Sequence, residues 1–237
     1  MLAHEKAISE KIAMIDCQTA GVAGDMLLGG LIDAGADVNK VRSAIKTLEC
    51  LGIYSNIKIA ITHVMRGEFK ATQIDVTAES TTKINGQQLV EIVEKTAQNL
   101  QLSKKAKKFA SNAIRALVNA EAELHGNSLE KAHLHEVGLI DTPAEIIGVA
   151  VAMEDLGLFD GRIFATPVAV GGGTLKFSHG IVSSPAPATL AIFQSKNFPI
   201  KGGPIEAELA TPTGAAILIN VVDEVSRFYP PMKPLKA

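Results

Sequence analysis

The stretch "SNIKIAITHVMRGEFKATQIDVTAE" (residues 55–79) decides the fold class of this 237-residue chain. Three isoleucines alternate with polar residues before the central "RGE", and Ile74 and Val76 alternate with polar residues after it. Alternation on both sides of a tight turn predicts a β-hairpin with one buried face.

Helical patterns and short strands surround this hairpin. A short buried strand is predicted at 11–18, ahead of the glycine loop "TAGVAGD". Helices are predicted from Asp25 to a stop at Gly35, over 86–101, over 103–125 with Ser103 as the cap, and over about 143–156. Three more helices are predicted to begin at Asp37, Pro187 and Pro212. We therefore predict an α+β fold. It is expected to be a single domain over 1–237, with a mixed, largely antiparallel sheet, helices packed against it and a helical segment near 86–125.

Composition excludes several classes of protein. The net charge of −2 and the 4% of aromatic residues, with no Trp, argue against a nucleic-acid-binding protein, which needs a basic field and stacking rings. No apolar run approaches the roughly 20 residues of a membrane span, and the charged N-terminal sequence lacks the pattern of a signal peptide. The two cysteines form no CxxC pair. We expect a cytoplasmic protein, and Ala- and Gly-rich helix faces permit close packing within the chain or in a homo-oligomer.

The segment "HLHEVGLIDTPAEIIG" (133–148) is the strongest candidate for a metal site. On an extended backbone, His133 and His135 point the same way and can hold one ion, whereas on a helix they cannot. Imidazole with carboxylate suits Ni, Zn, Fe or Cu. The alternative is a pair of histidines hydrogen-bonded to loop carbonyls. Thr142 to Glu145 fits a capping box, which makes Glu145 structural and leaves Asp141 free to bind a ligand.

Four loops present backbone N–H groups at or near helix starts, where anions bind favourably. They are "TAGVAGDM" (19–26), "VGGGT" (170–174), "SSPAPAT" (183–189) and "ATPTGAA" (210–216). Each loop alone reads as a tight turn, but the four together predict a pocket for an anionic small molecule. Asp16 and Asp25 would add carboxylates to its rim, and "FSHG" places His179 at a strand end. The alternative for Asp25 is a purely structural role as a carboxylate at a helix start.

Four ordered motifs resemble the N-terminal part of the LarC family, the nickel-insertion proteins of nickel-pincer nucleotide biosynthesis. They are "DCQTAGVAGDMLLGGLIDAG", "HLHEVGLIDTPAEIIG", "TPVAVGGGTLKFSHGIVSSPAPAT" and "ELATPTGAAIL", and the resemblance covers residues 12–230. It implies insertion of nickel into pyridinium-3,5-bisthiocarboxylic acid mononucleotide. The activity implied is that of a chelatase or cyclometallase of the lyase class.

The resemblance also implies roles for individual residues. They are nickel binding by His133, His135, Glu136 and Asp141, catalytic roles for Asp16, Asp25 and His179, and substrate binding by Gly21, Gly24, Gly172, Gly173, Thr211, Thr213 and Gly214. The glycine loop reads "TAGVAGD" where many members have "FSGxSGD", so one hydroxyl group is missing.

Family members commonly extend further, with a C-terminal part linked to a step that consumes CTP with a divalent metal. A separately encoded C-terminal partner is therefore expected, and this part alone is expected to bind no CTP. The competing hypotheses are a non-catalytic nickel metallochaperone or scaffold, and a metal-independent binding module for a phosphorylated small molecule.

Overall fold

A computed structural model describes residues 11–80, 84–126, 128, 139–177 and 180–232. The helices are α1 (Gly24–Asp33), α2 (Val38–Lys46), α3 (Gly86–Asn99), α4 (Lys104–Leu124), α5 (Asp141–Asp155), α6 (Pro187–Ser195) and α7 (Pro212–Val221). Short 3₁₀ turns cover Thr47–Leu51 and Leu158–Asp160. None of the helices in these ranges combines the length and apolarity that crossing a membrane requires.

The strands form small sheets. They are β1 (Ile12–Ile15), β2 (Tyr54–Arg66), β3 (Phe69–Ser80), β4 (Arg162–Ala165), β5 (Val168–Ala169), β6 (Thr174–Phe177), β7 (Gly180–Ser183), β8 (Ile200–Lys201) and β9 (Glu224–Val225). Strands β1, β4 and β9 form a parallel sheet with β4 in the centre, and β5 pairs with β8 in parallel. The pairs β2–β3 and β6–β7 are antiparallel. The predicted α+β class is confirmed, with several small sheets in the described ranges where one largely antiparallel sheet was expected.

The predicted hairpin is confirmed as β2–β3, with Arg66 opposite Phe69 across the turn. Helix α1 packs against this hairpin at Gly29, where an added Cβ would lie 2.5 Å from the carbonyl oxygen of Thr72. Glycine is needed there because any side chain would collide with the β3 backbone. Gly29 of α1 thus serves packing inside the chain.

The core is built around α4 and α5. The predicted apolar stripe of α4 is buried at Phe109, Ala113 and Leu117, while Leu124 at its end is 47% exposed. Helix α5 is apolar on almost every face and is buried along most of its length. A helix of this kind needs neighbours all round, and α1, α2, α3, α4 and α7 supply them.

Local helix signals behave as predicted at several ends. Asp37 caps α2 by accepting from the Asn39 N–H at 2.8 Å, and Ser103 caps α4 by accepting from the Ala106 N–H at 3.2 Å. Gly35 follows the end of α1 with a φ of +106°, a backbone conformation that favours glycine.

Candidate metal and substrate site

The starts of α1, α5 and α7 meet at one place. A Cβ on Gly24, the first residue of α1, would lie 2.1 Å from the Oε2 atom of Glu145 in α5. A Cβ on Gly214, in the first turn of α7, would lie 2.6 Å from the Cα of Ala23. The hydroxyl oxygens of Thr142 and Thr213 are 3.4 Å apart, which joins α5 to α7. Three helix N-termini, each with partial positive charge, therefore converge here.

Carboxylates gather at this convergence. Burial raises the pKa of Glu145 to about 8, repulsion by Asp25 and Asp141 adds to the effect, and a hydrogen bond from the Asp25 backbone N–H opposes it. Burial also raises the pKa of Asp141, with repulsion from Asp25 and from Asp75 on β3 as further causes. Asp25 and Asp141 are exposed, whereas Glu145 is partly buried. The cluster is therefore open to solvent on one side and holds a proton on Glu145 at neutral pH.

This arrangement favours a divalent cation chemically. A cation between these carboxylates would relieve their mutual repulsion and displace the proton from Glu145. Within the described ranges, no three His, Cys, Asp or Glu side chains are arranged to hold a metal ion by themselves. Of the predicted nickel ligands, Asp141 is described, at the start of α5, whereas His133, His135 and Glu136 lie outside the described residues. The predicted ligand set stays a prediction.

The predicted capping box at the start of α5 is wrong. The helix begins at Asp141 behind Ile140, whose carbonyl accepts from the Ala144 N–H at 3.0 Å. Thr142 is therefore already inside the first turn. Pro143 is tolerated there because the N–H groups of a first turn have no intrahelical partner. Glu145 is thereby released from a capping role and reaches across to the start of α1.

Asp16 directly follows β1, and the hydrogen-bond partners of its carboxylate do not belong to this cluster. Its carboxylate accepts from the Tyr229 hydroxyl at 2.8 Å, from the Gln18 N–H at 3.0 Å and from the Thr166 hydroxyl at 3.4 Å. The Gln18 hydrogen bond is the main cause that lowers the pKa of Asp16. Next to it, burial followed by repulsion from Asp16 raises the pKa of Cys17 to about 12, so this buried thiol is no nucleophile. Cys17 packs in the core just after the end of β1.

The glycine loops bind one another. The Val22 N–H donates to the Leu209 carbonyl at 2.8 Å, and the Thr211 N–H donates to the Val22 carbonyl at 3.0 Å. A Cβ on Gly21 would lie 2.0 Å from the Leu209 carbonyl oxygen. Glycine at this position thus has a packing role, and several N–H groups are already used.

The other predicted binding residues lie around the same contacts. The Gly172 N–H donates to the Ala207 carbonyl at 3.3 Å, and the Gly173 carbonyl accepts from the Ser184 N–H at 3.0 Å. The Thr211 hydroxyl caps α7 by accepting from the Gly214 N–H at 3.1 Å. Substrate binding by these residues stays a prediction.

The sequence model of the nickel insertion protein family matches residues 13–237. The chain belongs to this family. A putative nickel insertion protein of Methanothermobacter thermautotrophicus is 36% identical over 222 residues, covering 94% of this chain and 53% of the relative. A putative nickel insertion protein of Methanosphaera stadtmanae is 38% identical over 223 residues, covering 92% and 54%. A pyridinium-3,5-bisthiocarboxylic acid mononucleotide nickel insertion protein of Desulfitobacterium hafniense is 35% identical over 219 residues, covering 92% and 51%.

The chain therefore spans about half the length of these nickel insertion proteins. No solved structure matches it at a significant level. Three of the four motifs that carried the resemblance to the family, the first, the second and the fourth, contribute the starts of α1, α5 and α7, which meet in the fold. His179, predicted as catalytic, lies outside the described residues.

Three features of this family member are not apparent from its sequence patterns. Thr166 and Tyr229 hold the Asp16 carboxylate across 150 and 213 residues of chain, and no local pattern marks either of them. Glu145 belongs to the carboxylate cluster, although its spacing from Thr142 indicated a cap. The long apolar sequence after Glu145 was the available signal, because a helix that is apolar on every face needs neighbouring helices around it.

Proposed function

We propose that this chain binds Ni²⁺ and takes part in its insertion into pyridinium-3,5-bisthiocarboxylic acid mononucleotide. The observation that carries the proposal is the group of three carboxyl side chains, Glu145, Asp25 and Asp141, that repel one another where three helices begin. His135 precedes Asp141, the first residue of α5, by six positions along the chain. Family membership and the name of the Desulfitobacterium relative support nickel and this mononucleotide as the substrates.

In this proposal, Asp25, Asp141 and Glu145 receive the cation together with His133 and His135. Imidazole and carboxylate donors suit nickel, and the exposed side of the cluster gives the ion a route in and out. An organometallic product has a metal–carbon bond, so nickel replaces a hydrogen of the ring and one proton must be taken up. Glu145 is a suitable acceptor, since the incoming nickel ion displaces the proton that Glu145 holds at neutral pH and leaves a carboxylate that can take up the ring proton.

The complete reaction is proposed to require CTP and the further part of the family architecture, which accounts for the other half of the relatives' length. The chain is thus assigned to the metal-binding and substrate-binding part of a lyase-class metal chelatase, folded as one domain over 1–237.

Nickel titration of chelator-stripped protein by calorimetry tests the metal site. We expect stoichiometric binding by the wild type and its loss in Asp25→Asn/Glu145→Gln and in His133→Ala/His135→Ala. His125→Ala, at the residue that follows α4, is the matched control, since it removes an imidazole from another part of the chain, and it should bind as the wild type does. Titration at pH 7 in buffers of different ionisation enthalpy should also show proton release, because Glu145 gives up its proton to the ion.

Equal nickel binding by the wild type and both double variants would rule out this metal site.

Insertion is tested in a separate assay, with the mononucleotide, CTP and the other part of the family architecture supplied. Metal binding without any turnover under these conditions would replace the enzyme by the metallochaperone alternative.

A further inference from the structure

A cavity of about 410 Å³ lies at the carboxyl ends of the parallel strands. Gln18 follows β1, Pro167 follows β4 and Arg227 follows β9, so each strand of the three-stranded sheet contributes a residue to its lining. Crevices outside the carboxyl ends of parallel strands are where α/β sheets bind small molecules, and this volume lies in the range of such sites.

The cavity is positively charged. Lys201 and Arg227 line it, and no acidic side chain does. Within the described ranges, neither cation has a carboxylate within 4 Å, whereas Arg162 pairs with Glu224 at 3.0 Å and Lys105 pairs with Asp160 at 2.8 Å. Two unpaired cations on a concave surface favour an anion, and arginine with lysine is the pair that best suits a phosphate group.

The backbone that carries Arg227 is held on both sides. The Ser226 N–H donates to the Ala165 carbonyl at 2.8 Å, and the Tyr229 hydroxyl donates to Asp16. Asp16 is the acidic side chain of this edge, but its oxygens already accept from Tyr229, the Gln18 N–H and Thr166. The carboxylate therefore fixes the rim and leaves the two cations available.

The position of Lys201 is fixed by strand pairing. Its carbonyl accepts from the Val170 N–H at 2.9 Å, and Ala169 lies opposite it in the β5–β8 pair. Pro167 and Pro199, which precede these two strands, add rigid apolar walls to the cavity. A ligand with both a phosphate and a compact organic group matches this combination.

We propose that this cavity binds the phosphate monoester of a nucleotide-sized ligand through Lys201 and Arg227, with the organic part against Pro167 and Pro199. In identifying the ligand as the pyridinium mononucleotide, the proposal rests on the proposed function. The phosphate chemistry alone would also accept CTP, and the test separates the two sources.

The test is calorimetric titration of the 237-residue chain with three probes: nicotinic acid mononucleotide, the corresponding riboside without phosphate, and CTP. We expect the mononucleotide to bind more tightly than the riboside. Lys201→Gln and Arg227→Gln should each weaken mononucleotide binding about tenfold, and the double variant about a hundredfold, since each removes a charge-assisted hydrogen bond. Lys196→Gln is the matched control, because this exposed lysine is close along the chain and does not line the cavity.

Tighter binding of CTP than of the mononucleotide, with the same loss in the double variant, would keep the phosphate site and assign it to the triphosphate. Wild-type affinity of the double variant for both nucleotides, or no binding of either by the wild type, would overturn the proposal. Melting temperatures of the variants should match the wild type, because both side chains are exposed.

Nickel titration of the same variants separates this proposal from the proposed function. The double variant should bind nickel as the wild type does. If the double variant retains both nickel binding and wild-type nucleotide binding, this cavity is not the phosphate site, and the metal site stands. If the double variant loses nucleotide binding and the wild type binds no nickel, the phosphate site stands and the metal site is ruled out.

Discussion

Replacement of Glu145 by glutamine should change how the stability of the protein depends on pH. The folded-state pKa of Glu145 is about 8, against an ordinary value of 4.5, so the folded protein holds this proton more tightly than the unfolded chain does. The stability contributed by the proton is therefore complete below pH 4.5 and is lost as the pH rises through 8. Glutamine stays neutral throughout and keeps the shape and the acceptor oxygen of the side chain.

The magnitude follows from the difference of about 3.5 between these two values. At about 1.4 kcal/mol for each tenfold change in proton affinity, ionisation of Glu145 lowers the free energy of unfolding by at most about 5 kcal/mol. Glu145 is partly exposed as a residue, so water screens some of the charge, and we expect roughly 2–3 kcal/mol. At pH 9 Glu145→Gln should be more stable than the wild type by this amount, while near pH 4.5 the two should be equal.

Urea denaturation at intervals between pH 4.5 and pH 9 measures this difference in the free energy of unfolding. Glu123→Gln, on the exposed side of α4, is the matched control and should follow the wild-type profile at every pH. Parallel profiles for the wild type and Glu145→Gln would contradict this prediction, since the cost of ionising Glu145 in the folded protein must grow with pH.

Three further predictions test other parts of the structure. Gly214→Ala should lower the free energy of unfolding by about 1–3 kcal/mol, because its Cβ would lie 2.5 Å from a backbone carbonyl oxygen. Gly30→Ala, which has open space around it in α1, should raise it by about 0.5–1 kcal/mol, and thermal or urea unfolding measures both changes. At pH 8 a disulfide reagent should modify Cys50 alone, and rapid reaction of buried Cys17 in the folded protein would contradict its raised pKa. Tyr229→Phe should raise the pKa of its carboxylate partner in an NMR titration, and an unchanged value would show that the 2.8 Å hydrogen bond does not form in solution.

The fold class was predictable because its signals are local. The hairpin follows from alternation within 25 residues, and the caps at Asp37 and Ser103 follow from side chains two or three residues from their partners. The same kind of local signal was misleading at Thr142 to Glu145. Those letters fit a capping box, but helix α5 starts earlier, at Asp141, and Glu145 meets Gly24 from another helix instead.

The site was predictable only in part, for the same physical reason. Asp25 and Asp141 could be chosen as candidates because each stands at a helix start. Their meeting depends on Gly24, which lets two helices approach, and on partners distant in sequence. The cavity that holds Lys201 and Arg227 needs the order β1–β4–β9, and no pattern within one segment encodes that order.

The pairing of β1 has a consequence for synthesis of the protein. Ile12 lies opposite Arg162, so the first strand has its partner 150 residues later in the chain. The hairpin β2–β3 and the α3–α4 pair are joined by local contacts and can fold as they leave the ribosome. At roughly 5–20 residues per second, the first strand then waits about 8–30 s for β4. The nascent chain must keep this short apolar strand from aggregating during that interval.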